Sequence, residues 1–99
     1  MYVVFFEDED SAATQREKHM QAHLAFLEQN ADRITAAGPL RDPRSGLPSG
    51  GLWTVNCDNE DEVWQLVKND PFWPTGLRKS VDIQCWNRVF ADGRRQPTR

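Results

Sequence analysis

The first apolar run of the chain, residues 2–6 (YVVFF), carries large side chains at consecutive positions. Successive side chains of a strand point to opposite faces of a sheet, so Val3 and Phe5 share one face while Val4 and Phe6 share the other. A strand that is apolar on both faces requires a sheet that is covered on both sides. This requirement constrains the fold of the chain more than any other feature.

A helical pattern follows this first strand. Ser11 is a suitable N-cap, and apolar residues recur at helical spacing through Met20 and Leu24. The pattern predicts a first helix over residues 12–30. We interpret the acidic residues that precede it, 7–10, as a solvated loop.

The remainder of the chain predicts two strands joined by a turn-rich loop, then a second helix and a last strand. A second helix begins at a cap formed by Asp58 or Asn59 and ends at Asp70, because the following proline disfavours helical geometry in the residue before it. The predicted strands cover residues 33–40, 52–57 and 78–90. The order βαββαβ predicts a ferredoxin-like α+β fold, with two helices on one face of an antiparallel sheet.

That arrangement leaves one sheet face bare in a single copy. Four Trp and five Phe in 99 residues present more aromatic surface than a domain of this size encloses easily. Together with the first strand, this aromatic content predicts a homodimer that covers the bare face. Residues 1–90 are expected to form one domain, and residues 91–99 a flexible tail because they lack apolar periodicity.

The net charge of −3 provides no positive field for phosphate backbones, so we expect a small-molecule ligand and no nucleic acid. The N-terminus lacks a basic region, and its apolar run is too short for a signal peptide or a membrane span. Cys57 and Cys85 have no CxxC spacing and are interpreted as reduced thiols. These features predict a cytoplasmic protein that does not associate with membranes.

His23 lies at the margin of the apolar face of the first helix, where one ring edge can pack while the other faces a cavity. Imidazole is the most frequent general acid or base near neutral pH. The alternative is a structural histidine that hydrogen-bonds the turn at Asp70. His19 shares the same side of the helix, as metal ligands would, but the chain offers no HExxH motif and no obvious third ligand. No metal site is therefore expected.

Several short segments occur in an order that spans nearly residues 2–90. They are YVVF at 2–5, HLAFL at 23–27, AAGPL at 36–40, DPF at 70–72 and Trp86 in the last strand. In these segments the chain resembles the YCII-like (YCII-related) family of the dimeric α/β-barrel superfamily. The resemblance implies a ferredoxin-like protomer, a homodimeric α+β barrel closed by two sheets, and an active site built on a His-Asp pair. By position, that pair is His23 and Asp70.

The resemblance also marks an expected substrate pocket. Met20 stands where many relatives have an arginine, and Trp53 stands near the place where relatives often carry a small hydroxyl residue. Trp53 is expected either to close the pocket or to stack on a planar ligand. Gly38 and Pro39 either shape the mouth of the pocket or only form a turn. Phe72, next to the Asp-Pro pair, completes the expected substrate-binding set.

The matched His-Asp positions and the aromatic residues near them predict a cofactor-independent enzyme of the lyase or isomerase type that moves a proton on its substrate. The resemblance implies that this substrate is a small cyclic or conjugated compound. His23 is the expected acid or base, and Asp70 is expected to orient it. The first alternative is a non-catalytic dimeric protein that binds a small ligand, or an accessory protein. The second is a protein that assembles into larger complexes through exposed aromatic residues such as Trp64 and Trp73.

Overall fold

The computed structural model describes residues 1–97. Its helices and strands lie in the order βααββαβ, followed by a small hairpin. The elements are β1 (Tyr2–Asp8), α1 (Thr14–Lys18), α2 (Met20–Gln29), β2 (Ile34–Arg41), β3 (Pro48–Val55), α3 (Glu60–Asn69), β4 (Arg78–Cys85), β5 (Phe90–Ala91) and β6 (Arg94–Arg95), with 3-10 turns at Asp10–Ala12 and Trp73–Thr75.

Strands β1 to β4 form one antiparallel sheet in the order β2-β3-β1-β4. The central strand β1 pairs with β3 and β4, so that Val4 lies opposite Trp53 on one side and Ile83 on the other. The helices cover one face of this sheet. The fold class predicted from the sequence, a ferredoxin-like α+β protomer, is confirmed.

The hydrophobic core lies between the sheet and the helices. Burial of each large apolar side chain there contributes about 1.5–3 kcal/mol. The sheet supplies Val4, Phe6, Trp53 and Val55; the helices supply Phe26, Val63, Leu66 and Val67, all of them 8% exposed or less.

The opposite sheet face carries apolar side chains, and within residues 1–97 of the single protomer no layer covers them. Phe5 is 42% exposed there, with Leu52 beside it in the pairing register. The alternation along β1 is therefore as predicted, with Val4 and Phe6 inside and Phe5 on the open face. Since the structure is that of one chain, the homodimer stays a prediction.

The first helix differs from its predicted extent. A break at His19, with φ −108° and ψ 9°, separates α1 from α2. The predicted N-cap at Ser11 is wrong, because its hydroxyl donates to Glu9 Oε1 at 3.3 Å and lies within a 3-10 turn. Across the break, His19 N still donates to Gln15 O and His23 N to His19 O, both at 3.0 Å.

Strand β3 begins at Pro48, earlier than the predicted residue 52, because Gly50 pairs with Glu7 and Gly51 with Phe6 of β1. Gly50 and Gly51, which the sequence predicted to lie in the loop, belong to strand β3. Glycine is required at the first of them, since a Cβ atom on Gly50 would lie 1.8 Å from the carbonyl oxygen of Phe6.

Replacement of Gly50 with alanine is expected to lower the free energy of unfolding by about 3 kcal/mol, at the upper end of the usual cost of overpacking. The contact is with backbone, so β1 and β3 would have to separate. Gly38→Ala is the matched control, because nothing lies within 4 Å of its added Cβ. Urea denaturation of the two variants measures the difference, and an unchanged midpoint for Gly50→Ala would contradict it.

Strand β4 ends at Cys85 rather than near residue 90, and residues 90–95 form a separate hairpin. Its turn has positive φ at Asp92 (55°) and Gly93 (75°), the geometry of a tight two-residue hairpin loop. The predicted flexible tail, residues 91–99, includes all of this hairpin except Phe90, while residues 98 and 99 lie outside the described residues. The domain boundary at residue 90 and the flexibility of the tail stay predictions.

No helix within residues 1–97 is long and apolar enough to cross a membrane. Cys57 and Cys85 are both free thiols.

Candidate active site

A cavity of about 260 Å³ opens between helix α2 and the β2–β3 part of the sheet. It brings together side chains that are widely separated in the sequence. The six residues Met20, His23, Gly38, Pro39, Trp53 and Phe72, all expected from the sequence to form the site, line it. Asp70, the seventh expected residue, lies directly behind His23 and is 2% exposed.

His23 and Asp70 form a buried pair. The Nδ1 atom of His23 lies 2.7 Å from Asp70 Oδ1, and the two side chains are 10% and 2% exposed. The two residues are 47 positions apart in the chain. The sequence therefore identified two residues that the fold brings into direct contact.

The local backbone explains why Asp70 faces the histidine. Asp70 ends α3 with φ −63° and ψ 131°, the extended geometry that proline imposes on the residue before it. Its carbonyl oxygen accepts from Trp73 N at 2.8 Å, and its Oδ1 accepts from Phe72 N at 3.1 Å. The carboxylate thus fixes the turn and binds His23 through the same oxygen.

The carboxylate also determines which nitrogen of His23 is available. An ionised carboxylate only accepts hydrogen bonds, so Nδ1 donates and carries the proton. The other nitrogen, Nε2, has no hydrogen-bond partner within residues 1–97. Because the His23 side chain lines the cavity, this arrangement leaves one imidazole nitrogen available to a ligand.

Two aromatic rings, those of Phe72 and Trp53, stack against the imidazole ring of His23. Phe72 stacks on His23 with a centroid distance of 4.3 Å and an interplanar angle of 19°. Trp53 lies nearly parallel to it at 6.5 Å and 26°. Trp53 is itself 2% exposed and packs edge-on against Phe6 at 4.9 Å. The indole therefore forms part of the cavity wall, and its expected contact with a ligand stays a prediction.

Three charged residues extend the pair and were missed in the sequence. Arg78 donates through Nη2 to Asp70 Oδ2 at 3.4 Å and through Nη1 to Asp8 Oδ1 at 3.1 Å. Arg16 donates to Asp8 Oδ2 through Nη2 at 3.0 Å and through Nε at 3.2 Å. The result is a continuous line of alternating charges that ends at His23.

The interpretation of residues 7–10 as a solvated loop is wrong for the first two of them. Glu7 and Asp8 belong to β1, and Asp8 is 8% exposed. Along β1 every second side chain is buried, and Asp8 lies on the same buried face as Val4 and Phe6. That parity was the one signal in the sequence that could have identified Asp8 as an inward-facing carboxylate in need of a cationic partner.

His19 does not join the cavity. Its Nε2 lies 3.1 Å from Gln15 Oε1, one turn earlier along the helix. In the part of the chain that the structure describes, no three His, Cys, Asp or Glu side chains are grouped as metal ligands would be.

Comparison with known proteins identifies the family. The family model of the YCII-related domain matches residues 1–87. The chain belongs to the YCII-related family. The resemblance seen in the sequence is thereby confirmed, and the match covers every element that contributes to the cavity.

A solved structure resembles this YCII-related protein closely. It is the 5-chloro-2-hydroxyhydroquinone dehydrochlorinase (TftG) from Burkholderia phenoliruptrix AC1100, in complex with 2,5-dihydroxybenzoquinone. The TM-score is 0.78 with 27% sequence identity, over 87% of this chain and 92% of the other. No curated protein matches the chain in sequence. The YCII-related protein is therefore similar in structure to a lyase-type enzyme that acts on a small cyclic compound.

Proposed function

We propose that this YCII-related protein is a lyase-type enzyme that eliminates HX from a small hydroxylated ring compound, with His23 as the acid-base residue and Asp70 orienting it. The observation that carries the proposal is the buried 2.7 Å pair between His23 Nδ1 and Asp70 Oδ1, with Nε2 at a cavity and without a hydrogen-bond partner in residues 1–97. The similarity to a dehydrochlorinase supports the same class of reaction.

The reaction is a proton transfer coupled to loss of a leaving group. In the keto tautomer of the ring compound, the carbon that bears X also carries a hydrogen. Nε2 of His23 takes the proton of a ring hydroxyl group, the O–H bonding pair forms a carbonyl, the neighbouring ring double bond shifts to the carbon that bears X, and the C–X pair departs with X⁻. His23 later returns the proton to water. Since HX is lost as a whole, the ring gains one unsaturation and the step consumes no external oxidant or reductant.

The charged network suits this role. Positive charge develops on the His23 ring as it accepts the proton, and the Asp70 carboxylate stabilises that charge without taking the proton itself. Arg78 contacts the second oxygen of Asp70 at 3.4 Å, so the carboxylate keeps a fixed orientation when the cavity fills.

The cavity dimensions favour a single ring as the substrate. A cavity of about 150 Å³ holds benzene, so 260 Å³ accommodates a ring with a few substituents. Phe72 and Trp53 supply the flat apolar surfaces against which such a ring would pack.

The test measures chloride release from 5-chloro-2-hydroxyhydroquinone, the compound named for the similar enzyme, under anaerobic conditions. The wild-type protein is expected to accelerate release at least about 10³-fold over buffer. Saturable binding of that compound with no chloride release above the buffer rate would instead support a ligand-binding protein.

One observation favours this second candidate. Asp70 Oδ1, which contacts His23, also accepts from Phe72 N at 3.1 Å, and this double role fits a structural histidine.

The homodimer and the cytoplasmic location belong to the same proposal. The uncovered apolar sheet face, which includes Phe5 and Leu52, supports a second copy at that position. The two free thiols, Cys57 and Cys85, support a reducing compartment.

Sedimentation equilibrium at micromolar concentration is expected to give a dimer for the wild type and a monomer for Phe5→Glu, because a buried unpaired carboxylate at an interface is costly. Trp73→Glu is the matched control. Trp73 is 37% exposed and packs against Trp64 on the helical side, so its replacement should leave the dimer intact. Dissociation by Trp73→Glu alone would show that assembly uses the aromatic pair instead.

A further inference from the structure

The charge of the cavity wall is opposite in sign to that of the whole chain. Three arginines, Arg16, Arg41 and Arg78, line the cavity, against two carboxylates, Asp8 in the lining and Asp70 directly behind His23. The chain as a whole carries a net charge of −3. A cationic wall in an acidic protein, beside aromatic surfaces, indicates a ligand that is both planar and anionic.

The arginines of the wall differ in what they can still bind. Arg78 is 6% exposed in its side chain, uses both Nη atoms on Asp70 and Asp8, and lies 4.0 Å over the Phe6 ring. It therefore holds the network together. Its Nε is buried and has no hydrogen-bond partner in residues 1–97, so Arg78 offers no accessible donor there.

Arg16 is differently placed. It binds Asp8 through Nε and Nη2, which leaves Nη1 without a partner among the described residues. Its side chain is 21% exposed, so it reaches the cavity and still meets solvent. Asp8 fixes the guanidinium plane through two hydrogen bonds to one oxygen, and a fixed guanidinium loses less entropy when it binds an oxyanion.

We propose that Arg16 is the anion-binding residue of this cavity and that it selects a planar ring carrying an ionised hydroxyl group. This deepens the proposed function, on which it rests, by naming the ionic form of the substrate. An ionised hydroxyl conjugated with the ring supplies electron density that helps to expel X⁻. Arg16 orients that oxygen, while His23 Nε2 handles the proton.

The test measures binding and needs no turnover. The probe is 2,5-dihydroxybenzoquinone, titrated into the wild type and into Arg16→Gln and Arg16→Lys. Loss of a charge-assisted hydrogen bond should weaken binding by about 10- to 100-fold in Arg16→Gln. Arg16→Lys is expected to weaken it less, since the charge remains but the planar fork is lost.

Three comparisons make the result specific. Arg33→Gln changes the net charge equally but lies outside the cavity, where Arg33 Nη2 donates to Asn30 Oδ1, so it should bind the probe as the wild type does. The methylated ring 2,5-dimethoxybenzoquinone cannot ionise and should bind the wild type more weakly, with no further loss in Arg16→Gln. Benzoate distinguishes a general carboxylate site, which it would fill, from selection of an ionised ring hydroxyl, which it would not.

The proposal is overturned if Arg16→Gln binds both quinones like the wild type, or if it loses both equally. If Arg16→Gln does not fold, the ratio of the affinity for 2,5-dihydroxybenzoquinone to that for 2,5-dimethoxybenzoquinone is compared between Arg16→Lys and the wild type. An unchanged ratio would overturn the proposal. Anion binding without chloride release would refute the lyase reaction and leave the role of Arg16 standing. Chloride release that is unaffected by Arg16→Gln would refute the role of Arg16 and leave the lyase reaction standing.

Discussion

His23→Gln is expected to lower kcat for chloride release from 5-chloro-2-hydroxyhydroquinone by about 10²- to 10⁴-fold, the usual contribution of a positioned acid-base group. Glutamine keeps hydrogen-bonding capacity near Asp70 but cannot take a proton at neutral pH. Because the loss concerns proton transfer and not contact area, KM should change by much less than kcat.

His19→Gln is the control for this variant. The two histidines lie one helical turn apart, but His19 bonds Gln15 Oε1 and is not among the cavity residues. It should retain wild-type kcat. Equal activity in His23→Gln and His19→Gln, with both proteins folded by circular dichroism, would assign His23 a structural role.

Asp70→Asn is expected to lower kcat by a comparable factor of about 10²- to 10⁴-fold. The amide of asparagine can donate to Nδ1 of His23, which moves the ring proton to Nε2 and removes the lone pair that the reaction needs. It also removes the negative charge that would stabilise the protonated ring.

The same substitution leaves Arg78 with one carboxylate in place of two, since Asp8 remains its partner. We therefore expect a loss of stability of about 3 kcal/mol, the lower end for a broken buried pair. Asp61→Asn, at an exposed position in the first turn of α3, is the matched control and should alter neither quantity appreciably. Loss of stability with full kcat in Asp70→Asn would show that the carboxylate serves only the turn.

The sequence predicted the sheet and the open apolar face because these depend on local patterns. The alternation in residues 2–6 determined which face each side chain of β1 occupies. The Asp70-Pro71 dipeptide predicted the end of α3, and the structure has that end at Asn69 with Asp70 as its cap. The pairing of His23 with Asp70 came from resemblance to the family, since no local pattern joins residues 47 apart.

The charged network could not be predicted in the same way, because it depends on cross-strand register. Asp8 lies opposite Arg78 only through the antiparallel pairing of β1 with β4, and a register shift between Glu7 and Asp8 adjusts that contact. Arg16 reaches Asp8 because α1 begins after a 3-10 turn that replaced the predicted helix start. The alternation along β1 indicates that Asp8 faces inward, but nothing in composition or periodicity indicates that its partners are Arg78 and Arg16.

The central claim is that His23 and Asp70 act together as the acid-base group of a lyase. The most direct test measures chloride release by the wild type, His23→Gln, Asp70→Asn and the double variant side by side. Residues that act as one unit are not additive, so the double variant should be no slower than the slower single variant. A wild-type rate equal to that in buffer, or losses in the double variant that multiply those of the two single variants, would contradict the claim.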